Sequence, residues 1–279
     1  CRYFYNNGNK AKVLLFSDKG ELFQDLSNIA TIKIIKSSDV FEWLFFNINN
    51  VLNDSFYSDI NQILNVYPGG NMVSSILSIK LHIPFKTAVY HPDDYSFATK
   101  SEKKLFNQLP DESKLFMNEE TMTGTEKHVN KKIKGNIWPL AVIDKAYMEE
   151  NKEIVPQKNK IISVGNLMGF KTYNITMLNV IKELKDEGIS LIYEVWGSGP
   201  LEVKMKEFIQ QNKLTENVFI KGTLPYSSFY NQVKTAGIFV GVGTAVIEAS
   251  YAGVPTIVAT AFVKEPVSNG LFTDIEGFN

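Results

Sequence analysis

The second half of the chain repeats one local pattern: a short apolar run, a loop that contains glycine, and a stretch with helical spacing. The apolar runs Ile161–Gly165, Ile189–Trp196 and Gly237–Val242 each lead into such a loop, and Tyr173–Glu187 places its apolar residues on one helical face. Short apolar runs that alternate with helices are typical of parallel strands joined by helical crossovers. The pattern therefore predicts an α/β fold with parallel sheets.

The first half alternates less regularly, and a break in the pattern divides the chain. Its predicted helices are Val40–Asn50 and Met72–Leu81, and its predicted strands are Lys12–Ser17, Thr31–Lys36, Gln62–Tyr67, Phe85–Tyr90 and Lys114–Asn118. Proline and an acidic run interrupt the alternation after Trp138, as expected of a linker. We predict one domain at 1–140, a linker at 141–158 and a second domain at 159–279.

Composition excludes several classes of protein. The 279 residues contain 29 Lys and Arg against 30 Asp and Glu, so no basic surface for nucleic acid is predicted. No apolar run reaches the ~20 residues of a membrane helix. The three histidines and the single Cys1 form no metal-ligand motif. We expect a cytoplasmic protein without a metal, and the apolar segment Phe41–Phe46 leaves peripheral contact with the inner membrane face as an open alternative.

Both ends of the sequence look cut. The first residues, up to Gly8, resemble a helix end with no strand before it, which favours a missing first strand over a ragged terminus. The chain also stops at Asn279, soon after the predicted strand Thr256–Ala259. We expect truncation at both ends.

The segment Gly243-Thr244-Ala245 is the strongest candidate for a binding site. It joins the strand Gly237–Val242 directly to a helix, and glycine lets a ligand approach backbone amides that carry a partial positive charge. Glu248 lies one turn further, on the same side as Thr244. A phosphate at the amides and hydroxyl groups at the carboxylate fit this arrangement; a tight strand–helix junction with an exposed glutamate fits it equally well.

A second candidate is the loop from Gly165 through Asn166 to Lys171. A lysine at a helix start opposes the helix dipole, so helix stability does not explain its presence. A bound anion would explain it, and a solvated lysine is the alternative.

Two more loops follow predicted strands in the same domain. One contains Gly197 and Ser198, and the other contains Lys221, Gly222 and Leu224. Each loop taken alone is compatible with a plain turn. Carboxyl-end loops of parallel strands line one edge of a sheet, where doubly wound folds bind ligands.

The order and spacing of these segments from Ile161 to Ala259 resemble the donor-binding domain of retaining glycosyltransferase family four (group 1), which has the GT-B fold. The resemblance is carried by Val164-Gly165, Lys171, the run from Trp196 to Pro200, Lys221-Gly222, and the run from Gly243 through Glu248 to Pro255. It implies two Rossmann-like domains facing across a cleft. The first half is similar to the acceptor domain in outline only.

The resemblance also implies a role for each candidate. Lys171 would neutralise the donor diphosphate, Glu248 would hold the ribose hydroxyls, and the amides around Gly243-Thr244 would meet the phosphates. The loops at Gly197 and at Lys221-Gly222 would approach the base. His91, which follows a predicted strand, would approach the sugar; a plain loop histidine is the alternative.

Two positions depart from the family pattern. Val240 stands where a second glutamate usually contacts the transferred sugar, and Asn166 stands where a basic residue often occurs. A variant subgroup and loss of catalysis are both compatible with these departures.

The implied function is transfer of a hexose-type sugar from a UDP- or GDP-sugar to a glycan or lipid-linked acceptor. Retention, metal independence and a place in bacterial-type surface polysaccharide synthesis are further expectations. A nucleotide-sugar epimerase and a non-catalytic sugar-nucleotide-binding protein are the alternatives.

Overall fold

The structure, a computed structural model, describes residues 6, 8–16, 23–35, 54–143 and 154–275. It divides into two compact units, Cys1–Leu140 and Ala141–Asn279. The predicted helix Val40–Asn50 and the apolar segment Phe41–Phe46 lie outside the described residues, as does most of the predicted linker.

Strands and helices alternate through most of the described chain. The strands are β1 (Lys12–Leu15), β2 (Thr31–Ile34), β3 (Ile63–Asn65), β4 (Phe85–Val89), β5 (Lys114–Phe116), β6 (Asn136–Ile137), β7 (Gln157–Val164), β8 (Ile192–Trp196), β9 (Val218–Gly222), β10 (Ala236–Gly241), β11 (Thr256–Ala259) and β12 (Ser268–Leu271). The helices are α1 (Phe23–Ser27), α2 (Asn71–Leu81), α3 (Lys100–Gln108), α4 (Glu119–Val129), α5 (Tyr173–Asp186), α6 (Leu201–Gln211), α7 (Phe229–Val233) and α8 (Thr244–Tyr251).

The described residues of the first unit form two parallel sheets. β1 pairs with β2, and a four-stranded sheet has the order β3-β4-β5-β6. Helix α2 packs its buried Val73 and Leu77 against Tyr57, beside Leu14 of β1. Phe106 of α3 packs on the four-stranded sheet. The core of this unit therefore lies between its helices and its strands.

The second unit is a six-stranded sheet of order β12-β11-β10-β7-β8-β9, in which only β12 runs antiparallel to its neighbour. Successive residues of a strand point to opposite faces. Ile161 joins the apolar cluster that contains α5 and α6, and Ile162 joins the cluster that contains α7 and α8. Helices therefore cover both faces of this sheet, and the predicted α/β class is confirmed.

The strand order fixes where ligand-binding loops can gather. From β7 the chain proceeds through α5 to β8 and then to β9, on one side. It returns to place β10 on the other side of β7, and α8 leads further away to β11. The direction of winding thus reverses between β7 and β10. In open α/β sheets, the crevice at the carboxyl ends of such strands is where ligands bind.

Candidate functional site

The two strongest sequence candidates lie on the two strands that flank this reversal. Lys171 follows β7, and Thr244 follows β10. The two strands are paired in register, with Ile162 opposite Phe239, so both end at one edge of the sheet. Their helices pack on opposite faces, since α5 and α8 belong to different apolar clusters. The starts of these helices border the crevice between them.

Lys171 folds back over the end of β7. A β-carbon placed on Gly165 would lie 3.1 Å from its Nζ atom. Gly165 itself has a φ of +152°, which side-chain-bearing residues rarely adopt. The loop also closes on itself, because the Lys171 amide donates to the Met168 carbonyl at 2.9 Å. The glycine thus lets the ammonium lie directly above the strand end.

The environment of Lys171 suits an anion. The side chain is half-buried, and this burial lowers the pKa of its ammonium. Within the part of the chain that the structure describes, no carboxylate forms an ion pair with it. A half-buried cation without a counter-charge is unfavourable, and a bound phosphate would supply that charge.

The start of α8 offers backbone donors. Gly243 is the N-cap residue, with a φ of +68°, and as a glycine it has no side chain to cap the helix start. Gly243 and Thr244 are exposed, and a β-carbon on Gly243 would have no atom within 4 Å. The first helical turn leaves amide groups without helical acceptors and carries a partial positive charge. Among side chains and ligands, an anion is the group that this position binds best.

Glu248 is buried, with only 6% of its surface exposed. Its carboxylate accepts a hydrogen bond from the hydroxyl of Tyr226, which lies in the 3-10 turn Tyr226–Ser228 after β9. Burial raises the pKa of Glu248, while the hydroxyls of Tyr226 and Tyr230 lower it. The alternative of an exposed glutamate at a plain junction is therefore wrong: the carboxylate is buried and paired with a tyrosine.

The glycine loops after β7 and β8 are joined by their backbones. The Gly165 amide donates to the Trp196 carbonyl at 2.9 Å, and the Leu167 amide donates to the Ser198 carbonyl at 2.8 Å. A β-carbon on Gly197 would lie 1.9 Å from the Gly165 oxygen. Glycine at this position is therefore required by close packing of the two loops, whatever else the loops bind.

The loop after β9 is attached to the same framework. The Gly197 amide donates to the Gly222 carbonyl at 2.7 Å. Lys221 is exposed, with its ammonium 5.3 Å from the centre of the Phe219 ring, and Leu224 packs in the cluster beneath α8. These predicted donor-binding residues share one edge of the sheet.

Three predicted donor-binding residues of the second unit remain to be placed. Ser198 and Asn166 are exposed, and Ala245 is half-buried at the start of α8. Each is placed on a carboxyl-end loop or helix start, as the sequence predicts. Their contacts with a donor stay predictions.

Val240, one of the two departures from the family pattern, is a buried core residue. It lies in β10 with 3% of its surface exposed and packs in the apolar cluster of α5 and α6. Its carbonyl also accepts a hydrogen bond from Ser163 at 2.6 Å. A glutamate here would bury a charge in that cluster. This side chain therefore has no path to a sugar.

His91 lies in the first unit, after β4, and its side chain is 65% exposed. Its Nδ1 accepts a hydrogen bond from the Asp93 amide at 3.1 Å. Asp94 accepts from the amides of Tyr90 and His91, so Asp94 caps this turn. Asp93 pairs with His128 at 2.8 Å. The role of His91 near a sugar stays a prediction.

The described residues contain neither a metal cluster nor a membrane span. No three His, Cys, Asp or Glu side chains among them are grouped to hold an ion. No helix among them has the length and apolar content that crossing a bilayer requires. Independence from a metal stays a prediction.

The sequence assigned no role to Tyr226 and did not predict the aromatic contact between Phe170 and Phe262 at this edge. The two phenyl rings stack with centroids 5.6 Å apart, and the Phe262 amide donates to the Phe170 carbonyl at 2.8 Å. This contact joins the loop after β11 to the loop that carries Lys171. A tyrosine directly after Pro225 in a carboxyl-end loop was the available signal for Tyr226.

Comparison with known proteins finds one family model that matches the second half of the chain. A family model described as glycosyl transferases group 1 matches residues 144–268. The match covers the strands β7 to β11 of the second unit and ends at the first residue of β12. Membership of the retaining family four stays a prediction. A search of curated protein sequences finds no significant match.

Solved glycosyltransferase structures share the fold at low sequence identity. HepE of Anabaena, solved in complex with UDP and glucose, has a TM-score of 0.69 at 11% identity, over 88% of this chain and 72% of HepE. A glycosyltransferase from Rickettsia africae gives 0.67 at 14%, over 91% of this chain and 72% of that one. These likenesses show the fold, and the neighbours are GT-B glycosyltransferases, as predicted.

A longer relative is also similar. A TarM mutant from S. aureus, solved with fondaparinux, alpha-GlcNAc-glycerol and UDP, has a TM-score of 0.50 at 16% identity. The similarity covers 69% of this chain and 40% of TarM, so this chain spans less than half of that protein.

Proposed function

We propose that this chain is a glycosyltransferase that takes a hexose-type sugar from a UDP- or GDP-sugar. The observation that supports the proposal most directly is the pair of features at the switch point. A half-buried ammonium at Lys171 and the uncapped start of α8 flank the reversal between β7 and β10. A diphosphate placed there would meet both positive groups.

The chemistry follows from that placement. The bond between the anomeric carbon and the diphosphate oxygen breaks, and the diphosphate leaves with the electron pair. Lys171 and the α8 amides stabilise the developing negative charge, which is the main electrostatic task in such a step. The acceptor hydroxyl oxygen bonds to the anomeric carbon, and its proton passes to the departing diphosphate. Transfer on the same face, with retention and without a metal, is part of the proposal.

The acceptor side of the proposal rests on the first unit and on the relatives. We propose a glycan or lipid-linked acceptor, with His91 near the transferred sugar, in bacterial-type surface polysaccharide synthesis. TarM was solved with a glycerol-linked GlcNAc, and HepE with UDP and glucose, which supports this class of substrates. A cytoplasmic location, with peripheral contact at the inner membrane face, is part of the same proposal.

A thermal-shift screen across UDP- and GDP-sugars tests donor binding. The expected result is a rise in Tm with one base, because binding to the native state alone stabilises it. Product analysis with acceptors then separates the reactions. Free nucleoside diphosphate with an extended glycan supports a transferase, and a rearranged sugar nucleotide supports an epimerase. No shift with any sugar nucleotide contradicts the proposal.

One observation favours a second candidate, a non-catalytic sugar-nucleotide-binding protein. Val240, at the position of the second glutamate of the family pattern, is buried in the core. Donor binding by calorimetry without turnover on any acceptor would support that candidate.

A further inference from the structure

The hydrogen bond between Tyr226 and Glu248 joins two separate elements of the site edge. The two residues are 22 positions apart, one in the turn after β9 and the other in α8. The bond is made by the carboxylate of Glu248, which the family resemblance assigns to the ribose hydroxyls of the donor. The hydrogen bond at Glu248 Oε1 therefore affects how the carboxylate is oriented toward a ligand.

Aromatic packing holds the Tyr226 ring in place. It stacks on Phe229 with ring centroids 6.4 Å apart and an interplanar angle of 26°. Phe229 is itself buried and packs edge-on against Tyr230 at 5.5 Å and against Phe239 of β10 at 6.4 Å. The hydroxyl of Tyr226 thus extends from a cluster that is anchored on the sheet.

Glu248 needs such a partner. A buried carboxylate without hydrogen bonds is costly, and a hydroxyl donor both satisfies it and favours its ionised form. Glu248 is almost wholly buried, and no lysine or arginine influences its carboxylate in the described part of the chain. Its orientation therefore depends on neutral hydroxyl donors, with Tyr226 directly bonded to Oε1.

We propose that Tyr226 is a positioning residue that sets the ribose specificity of the donor site. Its hydroxyl holds the Glu248 carboxylate, ionised and oriented, to accept hydrogen bonds from the ribose hydroxyls of a nucleoside diphosphate. This inference rests on the proposed function. Without the hydroxyl, the carboxylate loses a fixed direction, and the preference for ribose over a sugar without these hydroxyls is reduced.

Calorimetry with the full chain tests this, with UDP, GDP and their 2′,3′-dideoxy counterparts as probes. The ratio of ribose to dideoxyribose affinity is the quantity to compare. In Tyr226→Phe this ratio is expected to fall by about tenfold, the typical effect of one hydrogen bond to a charged group. Tyr251→Phe is the matched control, because it removes the hydroxyl of an exposed tyrosine on α8, the helix that carries Glu248. This variant should leave the ratio unchanged.

The possible outcomes distinguish the two proposals. If the wild type binds neither UDP nor GDP, the proposed function fails and this inference fails with it. If it binds one of them but Tyr226→Phe keeps the wild-type ratio, only the inference is overturned. Equal weakening of ribose and dideoxyribose forms would mean a general structural role, and it also overturns the inference. If the wild type binds the ribose and dideoxyribose forms with equal affinity, the inference is also overturned.

Discussion

The ammonium of Lys171 is half-buried and lies above the end of β7, close to Gly165. If it pairs with a diphosphate, its removal takes away a hydrogen bond to a charged group, which contributes roughly 1.5–3 kcal/mol. We expect Lys171→Ala to weaken binding of UDP or GDP by about ten- to a hundredfold. Isothermal titration calorimetry measures this directly.

A matched control for that variant is available on α5, the helix that follows Lys171. Lys182 of α5 is solvent-facing and pairs with Asp186 at 2.6 Å. Lys182→Ala should leave nucleotide affinity unchanged. Equal affinity in Lys171→Ala and the wild type would remove Lys171 from the site.

Removal of the Glu248 charge is predicted to affect the stability of the fold and the binding of nucleotide in opposite directions. Burial raises the pKa of its carboxyl above 4.5, and Tyr226 and Tyr230 are the titratable neighbours that lower it. The native state therefore holds this proton more tightly than the unfolded chain. The stabilising contribution is present below the unfolded pKa and is lost as pH rises through the raised native pKa.

Glu248→Gln keeps an acceptor for Tyr226 but removes the buried charge. We expect its Tm at pH 7 to equal or exceed that of the wild type, while nucleotide affinity falls. Thermal melts from pH 5 to 8, with and without UDP or GDP, measure both effects. A variant that is much less stable than the wild type at pH 7 would show that the charge itself stabilises the fold.

Lys171 and Glu248 could be predicted from the sequence because each is an unusual residue for its position. A lysine at a helix start opposes the dipole, and a glutamate one turn from a glycine junction suggests a crevice. Tyr226 could not be assigned to Glu248 in the same way, because the contact depends on how the turn after β9 crosses to α8. Such packing is set by the tertiary structure and leaves no pattern in a single sequence.

The strand–loop–helix units of the second half were predictable as elements because every one has a buried apolar strand. The exposed strand Ser268–Leu271 has no such pattern and was not predicted. Helix α3 was also missed, although Thr99 and Glu102 form a capping box at its start. That spacing was visible in the sequence, whereas α3 buries only Phe106 and so shows little apolar periodicity.

The packing of the glycine loops gives a prediction about elements. In Gly197→Ala a β-carbon would meet the Gly165 oxygen at 1.9 Å, and the residue would also keep a φ of +150°. Both effects separate the loops after β7 and β8. We expect the free energy of unfolding to fall by at least about 2 kcal/mol, measured by urea denaturation.

Gly169→Ala is the control in the neighbouring loop. No atom lies within 4 Å of a β-carbon there. Its stability should match the wild type within about 0.5 kcal/mol, as for surface changes that touch nothing. If Gly197→Ala were as stable as Gly169→Ala, the close contact between the two loops would be wrong.

At the scale of the whole molecule, the two units differ in how far the sequence could describe them. In the second unit, the regular alternation of apolar runs and helical stretches defined nearly every strand. The reversal of winding between β7 and β10 places the candidate residues at one edge of the sheet. In the first unit, β3 and β5 lie within predicted strands, but β6 has only two residues, which leaves no periodicity to detect, and it was not predicted. A role for His91 depends on how a donor and an acceptor meet, which no local pattern encodes.

Each unit has apolar clusters of its own, and every proposed donor contact except that of His91 lies in Ala141–Asn279. A unit with its own core can fold alone. We expect residues 141–279, expressed separately, to unfold cooperatively and to bind UDP or GDP with the affinity of the full chain. Calorimetry and thermal melts of the fragment measure this, with Lys171→Ala in the fragment as the control, which should weaken nucleotide binding by the same factor as in the full chain. Cooperative unfolding without nucleotide binding would mean that the first unit supplies an essential donor contact, and the donor site would then have to be redrawn to include residues of Cys1–Leu140.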